Sequence, residues 1–340
     1  MALAIKAKKS EAERVKRRLC KLGALSSEHR ILVYGEWVYF PISKKVDGFE
    51  VEDVDMRERE NLWIPPIVKI REALAGKIPE PLIALLPDKW ESVGNILILK
   101  FPEQLKPYEK TIAQGYSKIL EMRSVLNDYG GISGEFREPK FDWIYGDKNT
   151  ETTHLENGIR YTLDPAKVMF ASGNVEERIR MSKLKCRGEV VVDMFAGIGY
   201  FTLPLAVYGK PAKIYACEIN PVSVSYLRRN AEQNGVSKIV EPLLGDCRKA
   251  APEGVADRVV MGYVRGTKNF LGKAMRILKP EGGILHYHET YPNALLPQKA
   301  KEDIEKAAEG AGRRAEILRL AEVKSYSPGV SHIVVDFRVY

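Results

Sequence analysis

The chain has 340 residues, with 53 Lys+Arg against 45 Asp+Glu (net +8), 45% hydrophobic and 29% charged residues. This balance excludes disordered, collagen-like and disulfide-stapled chains, and no window approaches the ~20 uninterrupted apolar residues of a membrane helix. The length predicts two or three domains, and the modest basic excess suggests a polyanionic partner without identifying one.

The N-terminus is dense in charge and lacks the apolar core of a secretory signal, so a cytoplasmic chain is expected. Residues 1–30 hold nine basic and three acidic side chains. Ser10 with Glu13 reads as a capping box, Val15, Leu19 and Leu22 recur at helical spacing, and Gly23 follows as a stop. This predicts a short basic amphipathic helix, and WVYFPI (37–42) predicts a strand. Residues 1–46 therefore read as a small α+β domain. The next stretch, 47–60, carries seven acids and two arginines, and 47–64 reads as an acidic linker. Helical periods broken by proline, a strand at 94–100, helical spacing over 106–126 and short strands bounded by Gly, Asn and Asp then predict an α+β middle domain over 65–170. Cys20, Cys186, Cys217 and Cys247 form no CxxC pair, so neither a metal ribbon nor a disulfide framework is expected.

From 171 the pattern changes. A helix is predicted at 175–184. Continuous apolar runs follow at 190–195, 213–219, 239–246, 258–264, 282–289 and 332–340, with helical or loop sequence between them. Runs of this kind predict a mostly parallel sheet buried on both faces, a Rossmann-like domain over 171–340. Its first strand ends at Asp193 and turns through Phe195, Gly197 and Gly199 into a helix, so the backbone can approach a ligand at a helix start. The third glycine of a dinucleotide fingerprint is absent. Glu218 ends the second strand, where a carboxylate can accept both ribose hydroxyls. Asp246 ends the third, beside Cys247, where an acid suits an adenine amine. Three acids on successive strand tips favour an adenosylmethionine site over a nicotinamide one. The fourth tip reads MGYV, with Gly262 and Tyr263 in place of the polar side chain and proline common in base-directed methyltransferases. His286 and His288 alternate on a strand and face one way. They lack a third ligand for a metal, which leaves core packing or a pocket wall facing the substrate. Tyr263, Tyr287 and Tyr326 could stack on an extruded base.

DMFAGIGYFTLPLAVYGK (193–210), DRVVMGYV (257–264), GGILHYHET (282–290) and SYSPGVSHIVVDFRV (325–339) closely resemble the archaeal tRNA wybutosine-synthesising protein 2 family. The resemblance covers about 65–340. Residues 1–42 look instead like the N-terminal domain of its sister, the archaeal tRNA guanine-37 N1-methyltransferase, which touches the outer corner of the tRNA. GEFR (134–137), ENGIRY (156–161) and the Glu177–Arg178 pair are common to both families. The sister's fourth-strand motif is Asn-Leu-Pro, whereas this chain has Gly262-Tyr263-Val264. The segment FASGNVEER (170–178) carries Ala171 where serine is usual, which removes one hydroxyl contact.

The resemblance implies a class I adenosylmethionine-dependent fold. It further implies transfer of the 3-amino-3-carboxypropyl group of adenosylmethionine to carbon 7 of 4-demethylwyosine, beside the anticodon of phenylalanine tRNA, with methylthioadenosine released. It assigns Glu177 as general base and Arg137 as the arginine near the purine. Arg178 becomes a candidate partner for the ligand carboxylate or ribose. Asp193, Phe195, Gly197, Glu218, Asp246 and Cys247 form the cofactor site, and Gly262, Tyr263, His286 and His288 the substrate side. A monomer that binds the tRNA anticodon stem-loop, without metal or membrane, is expected, and the basic N-terminal unit is expected to recruit the tRNA.

Overall fold

The computed structural model describes residues 2–58 and 64–340, and the chain divides into two compact units, Met1–Lys69 and Ile70–Tyr340. In the first, β1 (Ala2–Lys8), β2 (Leu32–Tyr34), β3 (Trp37–Pro41) and β4 (Val51–Val54) form an antiparallel sheet ordered β2-β3-β1-β4. The predicted helix runs Ala12–Lys21 and packs Val15 and Leu19 into a core with Ile5, Val38 and Phe40. Leu22 of the predicted stripe is exposed, and Ser10 makes no cap.

Two expectations need correction here. β1 was not marked, because its lysines interrupt the apolar alternation. The acidic stretch is not a linker throughout: β4 lies within it, in register with β1 from Ala2↔Val54 to Ile5↔Val51, and Glu52 meets Lys6 at 3.4 Å. An edge strand tolerates such charge because one side faces water. Residues 59–63 of the predicted linker lie outside the described residues.

In the second unit β5 (Glu91–Val93), β6 (Ile96–Leu99), β7 (Ser124–Ser133) and β8 (Glu138–Gly146) form one sheet in that order. β6 and β7 are parallel and are linked through helix Glu109–Leu120. The helix predicted over 106–126 is shorter because Glu121 takes a left-handed conformation and Ser124–Leu126 enter the sheet. β9 (Thr152–Glu156) and β10 (Ile159–Leu163) make a hairpin. This hairpin, placed by sequence in the middle domain, hydrogen-bonds the C-terminal part instead. Thr162 N–H donates to Asn230 Oδ1 at 2.8 Å and Arg160 N–H to Asn234 Oδ1 at 3.0 Å. Ile159, Tyr161 and Leu163 share one core with Ile96, Leu126, Val191 and Leu227, so no boundary at 170 separates two cores.

The seven-stranded sheet contains β11 (Val190–Asp193), β12 (Lys213–Glu218), β13 (Val240–Leu244), β14 (Arg258–Met261), β15 (Gly283–Pro292), β16 (Ala315–Ser327) and β17 (Val330–Val339). Its order is β13-β12-β11-β14-β15-β17-β16, and β17 alone runs antiparallel to its neighbours. The continuous apolar runs fill a core on each face, as double burial requires. The chain winds outward from β11 in one direction and from β14 in the other, so the crevice at their carboxyl ends is the topological switch point where such folds bind ligands. Among the described residues no helix is long and apolar enough to cross a membrane.

Candidate active site

A cavity of about 300 Å³ opens at that switch point, at the lower end of the ~300–1,000 Å³ of ligand pockets. A larger depression of about 980 Å³ lies near the Glu151–Arg229 ion pair, is mostly polar and open, and touches none of the strand tips named above. The chemistry belongs to the smaller cavity, because the strand-tip groups converge there.

Its floor is the turn after β11. Asp193 is fully buried and does not line the cavity. Its Oδ1 accepts from Phe195 N–H at 3.2 Å and its Oδ2 from the Thr202 hydroxyl at 2.8 Å. Burial pushes this carboxyl up to about 6. Asp193 thus holds the turn, and a direct cofactor contact is corrected to a supporting one. Gly197 takes φ +57°, and a Cβ there would sit 2.5 Å from the Tyr200 ring. Its N–H donates to Glu218 Oε2 at 2.8 Å, while Asn220 N–H donates to Glu218 Oε1 at 2.8 Å. Glu218 therefore lines the cavity with a fixed carboxylate that keeps free lone pairs, and burial raises its pKa. Asp246 also lines the cavity, with its carboxylate on Arg248 at 2.5 Å. Cys247 follows it, its buried thiol pushed up to about 12 and unreactive.

One wall is a column of rings. Tyr263 stacks on Phe195 at 5.1 Å, Phe270 meets Phe195 edge-on at 5.0 Å, and the Arg137 guanidinium covers Tyr263 at 4.8 Å. Arg137 has φ +55° and donates to the Val264 carbonyl at 2.9 Å. Tyr326 also faces the cavity, whereas Tyr287 is buried with its hydroxyl on Tyr291. Gly262 closes the back, and a Cβ there would fall 2.7 Å from Phe201 Cε2. Phe201 cannot retreat, because it is stacked at 5.2 Å on His288.

Four predicted site residues lie behind the wall rather than in it. Arg178 is 2% exposed. Its guanidinium grips Glu156 through Nε at 2.6 Å and Nη2 at 2.7 Å, and Nη1 donates to the Ala171 carbonyl at 2.7 Å. Three of its five N–H groups are so engaged, and the side chain does not line the cavity. Glu177 is held by Arg180 at 2.6 and 2.8 Å and lies 3.3 Å from His288 Nε2. Burial pushes its carboxyl up, but the His288 and Arg180 contacts prevail and hold it near 2. It does not reach the cavity as a direct base. His286 bonds Asp336 at 2.6 Å and Arg258 at 2.7 Å, and His288 bonds His332 at 3.1 Å.

Sequence patterns did not mark Asn174, Lys324 or His332. All three line the cavity. Asn174 Oδ1 and His332 Nδ1 are buried without a partner, and Lys324 makes no ion pair among the described residues. Burial lowers the Lys324 pKa. A pocket with a fixed carboxylate, two orphaned acceptor-capable atoms and an unpaired ammonium suits a ligand that carries hydroxyls, an amine and a carboxylate.

The parallel order, the switch-point cavity and the Glu218 and Asp246 tips together define a class I adenosylmethionine-dependent transferase. Comparison with known proteins gives the family. A TRM5/TYW2 methyltransferase domain matches residues 152–318, a TYW2 N-terminal domain 70–150 and a tRNA methyltransferase 5 N-terminal domain 4–50. The chain is 43% identical over 272 residues to the tRNA(Phe) (4-demethylwyosine(37)-C(7)) aminocarboxypropyltransferase of Pyrococcus horikoshii, covering 80% of this chain and 96% of that one. It is 36% identical over 343 residues to the tRNA (guanine(37)-N(1))-methyltransferase Trm5b of Pyrococcus abyssi, covering 100% and 99%. The crystal structure of P. horikoshii TYW2 in complex with MeSAdo superposes with a TM-score of 0.72 at 40% identity, covering 81% and 99%. The chain belongs to the TRM5/TYW2 family, on its aminocarboxypropyltransferase branch.

Proposed function

We propose that the chain transfers the 3-amino-3-carboxypropyl group of adenosylmethionine to carbon 7 of 4-demethylwyosine at position 37 of phenylalanine tRNA. Adenosylmethionine, consumed as a substrate, supplies a sulfonium whose γ-carbon is the electrophile. The carrying observation is Gly262 packed against Phe201. The sister methyltransferase needs a polar side chain at this tip, and here the space for its Cβ is filled by a pinned ring. Glu218 would take the ribose hydroxyls, Asp246 and the Cys247 backbone the adenine, and Phe195 and Gly197 would shape the floor. Arg137 and Tyr263 face the opening, where an extruded tricycle can stack. Orientation selects the carbon that reacts, because only one held in line near ~3–3.5 Å from the nucleophile is attacked.

Product analysis tests this reading. With adenosylmethionine and phenylalanine tRNA bearing 4-demethylwyosine, methylthioadenosine is the expected by-product. Adenosylhomocysteine with methylated guanine 37 would instead establish the N1-methyltransferase, a reading supported by the full-length similarity to Trm5b. The basic N-terminal unit, matched over 4–50, is proposed to add affinity for tRNA. The chain is further proposed to act as a monomer in the cytoplasm; sedimentation checks the oligomeric state.

With Arg178 committed to Glu156, we propose Lys324 as the partner of the amino-acid carboxylate. Lys324→Gln is expected to weaken adenosylmethionine about tenfold, the worth of one charge-assisted hydrogen bond. Methylthioadenosine, which lacks the carboxylate, should bind unchanged. Calorimetry that finds both ligands weakened equally, or neither, overturns the assignment.

A further inference from the structure

One face of the large sheet carries a line of buried polar groups that the reaction as described leaves unused. β15 and β17 pair with Thr290 opposite His332, His288 opposite Val334 and His286 opposite Asp336. His286, His288, His332 and Asp336 therefore share one face, since side chains alternate along a strand and diagonal neighbours on paired strands touch. Helix Val175–Ser182 lays Glu177 and Arg180 across them. His332 Nε2 lies 3.1 Å from His288 Nδ1, and His288 Nε2 lies 3.3 Å from Glu177 Oε1, close enough for an ion pair though its angles fall short of a hydrogen bond. Glu177 is fixed in turn by Arg180, which also holds Asp336 at 2.8 Å. Of the histidines on this face only His332 reaches the cavity, and its Nδ1 is buried, unpartnered and 2% exposed as a residue.

Charge and proximity favour one set of tautomers. The Glu177 carboxylate 3.3 Å away favours a proton on His288 Nε2, which leaves its Nδ1 bare. In that arrangement His288 Nδ1 accepts from His332 Nε2–H, which leaves the His332 Nδ1 lone pair without a partner on a residue that lines the cavity. One further group bears directly on this ring. Lys324 sits directly across the β16–β17 register from His332, with Arg178 and Glu91 acting on Lys324 behind it. Burial first, then His288 and Lys324, push the His332 pKa down to about 3, against the pull of Glu177. The ring is thus unprotonated at neutral pH and weakly basic, so it takes a proton only from a strongly acidic donor.

We infer that His332 is the catalytic residue that accepts the proton leaving carbon 7, and that His288 and Glu177 are positioning residues acting through it. This role rests on the aminocarboxypropyl transfer proposed above. Carbon 7 attacks the γ-carbon. The new C–C bond forms as the C–S bond breaks, and its electron pair stays on sulfur in neutral methylthioadenosine. The positive charge, now on the tricycle, is discharged when the C7–H bond returns its pair to the ring and the proton passes to His332 Nδ1. His332 Nε2–H can then pass its proton to His288 Nδ1, which places the positive charge beside the Glu177 carboxylate. The charge has moved from sulfur to the tricycle, which makes its C7–H strongly acidic, so a weakly basic imidazole suffices to take the proton. Glu177 thereby serves the step without reaching the pocket.

The test compares wild type, His332→Ala and Glu177→Gln in single turnovers on tRNA bearing 4-demethylwyosine, with adenosylmethionine affinity measured by calorimetry. His332→Ala is expected to lose about 10²–10⁴-fold in methylthioadenosine formation, the range of a general base. Its adenosylmethionine affinity should fall by far less than its rate, and added imidazole should restore part of the rate. Glu177→Gln should alter the pH–rate profile. Nitrogen-15 NMR of the wild-type imidazoles, which needs no variant, should find His332 as the Nε2–H tautomer. Wild-type protein that forms no methylthioadenosine overturns the reaction and this role with it. Wild-type turnover beside an equally fast His332→Ala, a loss without imidazole rescue, or a His332 that carries its proton on Nδ1 overturns the role of His332 alone.

Discussion

Glu218→Ala is expected to weaken adenosylmethionine binding about 100-fold while tRNA binding changes by less than about twofold. The carboxylate is anchored by the Gly197 and Asn220 N–H groups at 2.8 Å each, so its remaining lone pairs are aimed before a ligand arrives. Two charge-assisted hydrogen bonds to ribose hydroxyls are worth roughly 3 kcal/mol together, and ~1.4 kcal/mol is tenfold in affinity. Glu218→Gln keeps the size but exchanges one acceptor for a donor, and it should fall between wild type and alanine. The fold should lose little. Burial raises the Glu218 carboxyl in the folded protein. A carboxyl raised on folding costs stability once the pH is above its unfolded value, so removing it relieves a penalty at neutral pH. For the same reason binding should weaken as pH falls through the raised pKa. Calorimetry with unchanged cofactor affinity would remove Glu218 from the ribose site.

Arg178→Ala should be among the most destabilising single changes in the second unit, at about 3–5 kcal/mol, because it strands the Glu156 carboxylate in the interior. Burial alone would raise Glu156, but the Arg178 bonds, helped by His154, outweigh it and hold its carboxyl near 2. A depressed carboxyl contributes stability above its unfolded pKa, about 4.5, and loses it as pH falls from there toward 2. The deficit of the variant should therefore be full at pH 7 and shrink in acid. Glu156→Leu with Arg178→Met, which replaces the whole pair by apolar groups, should recover much of the loss. Denaturant melts across pH check both points, and a pH-independent deficit would refute the ion-pair account.

The two arginines beside the pocket mark what sequence could and could not reveal. Guanidinium chemistry made Arg178 a carboxylate partner, and it is one. The carboxylate belongs to Glu156, 22 positions earlier, rather than to a ligand. A motif gives the residue but not its neighbour across the fold. The glycine turn and the Glu218 and Asp246 tips were legible because a parallel sheet places consecutive strand ends on one rim. Lys324 and His332 were not legible. They enter the cavity through β16 and through β17, the one strand running antiparallel to its neighbours. β16 itself went unmarked, since its exposed face and register shifts blur any period. The acidic strand β4 was hidden by its charge, and helix 109–120 was overextended because the buried Val125 and Leu126 continue its apolar rhythm into a strand.

The antiparallel insertion of β17 between β15 and β16 also has a consequence for synthesis on the ribosome. Every other described strand is translated before Val330–Val339, yet this segment occupies an interior slot of the sheet. A nascent chain can form the rim from β11 to β15 early, but β16 has no partner and the cavity lacks a wall until the final strand emerges. The pocket is therefore complete only once that strand has joined the sheet. A truncated product would then be both inactive and left with an open sheet edge for quality control to recognise.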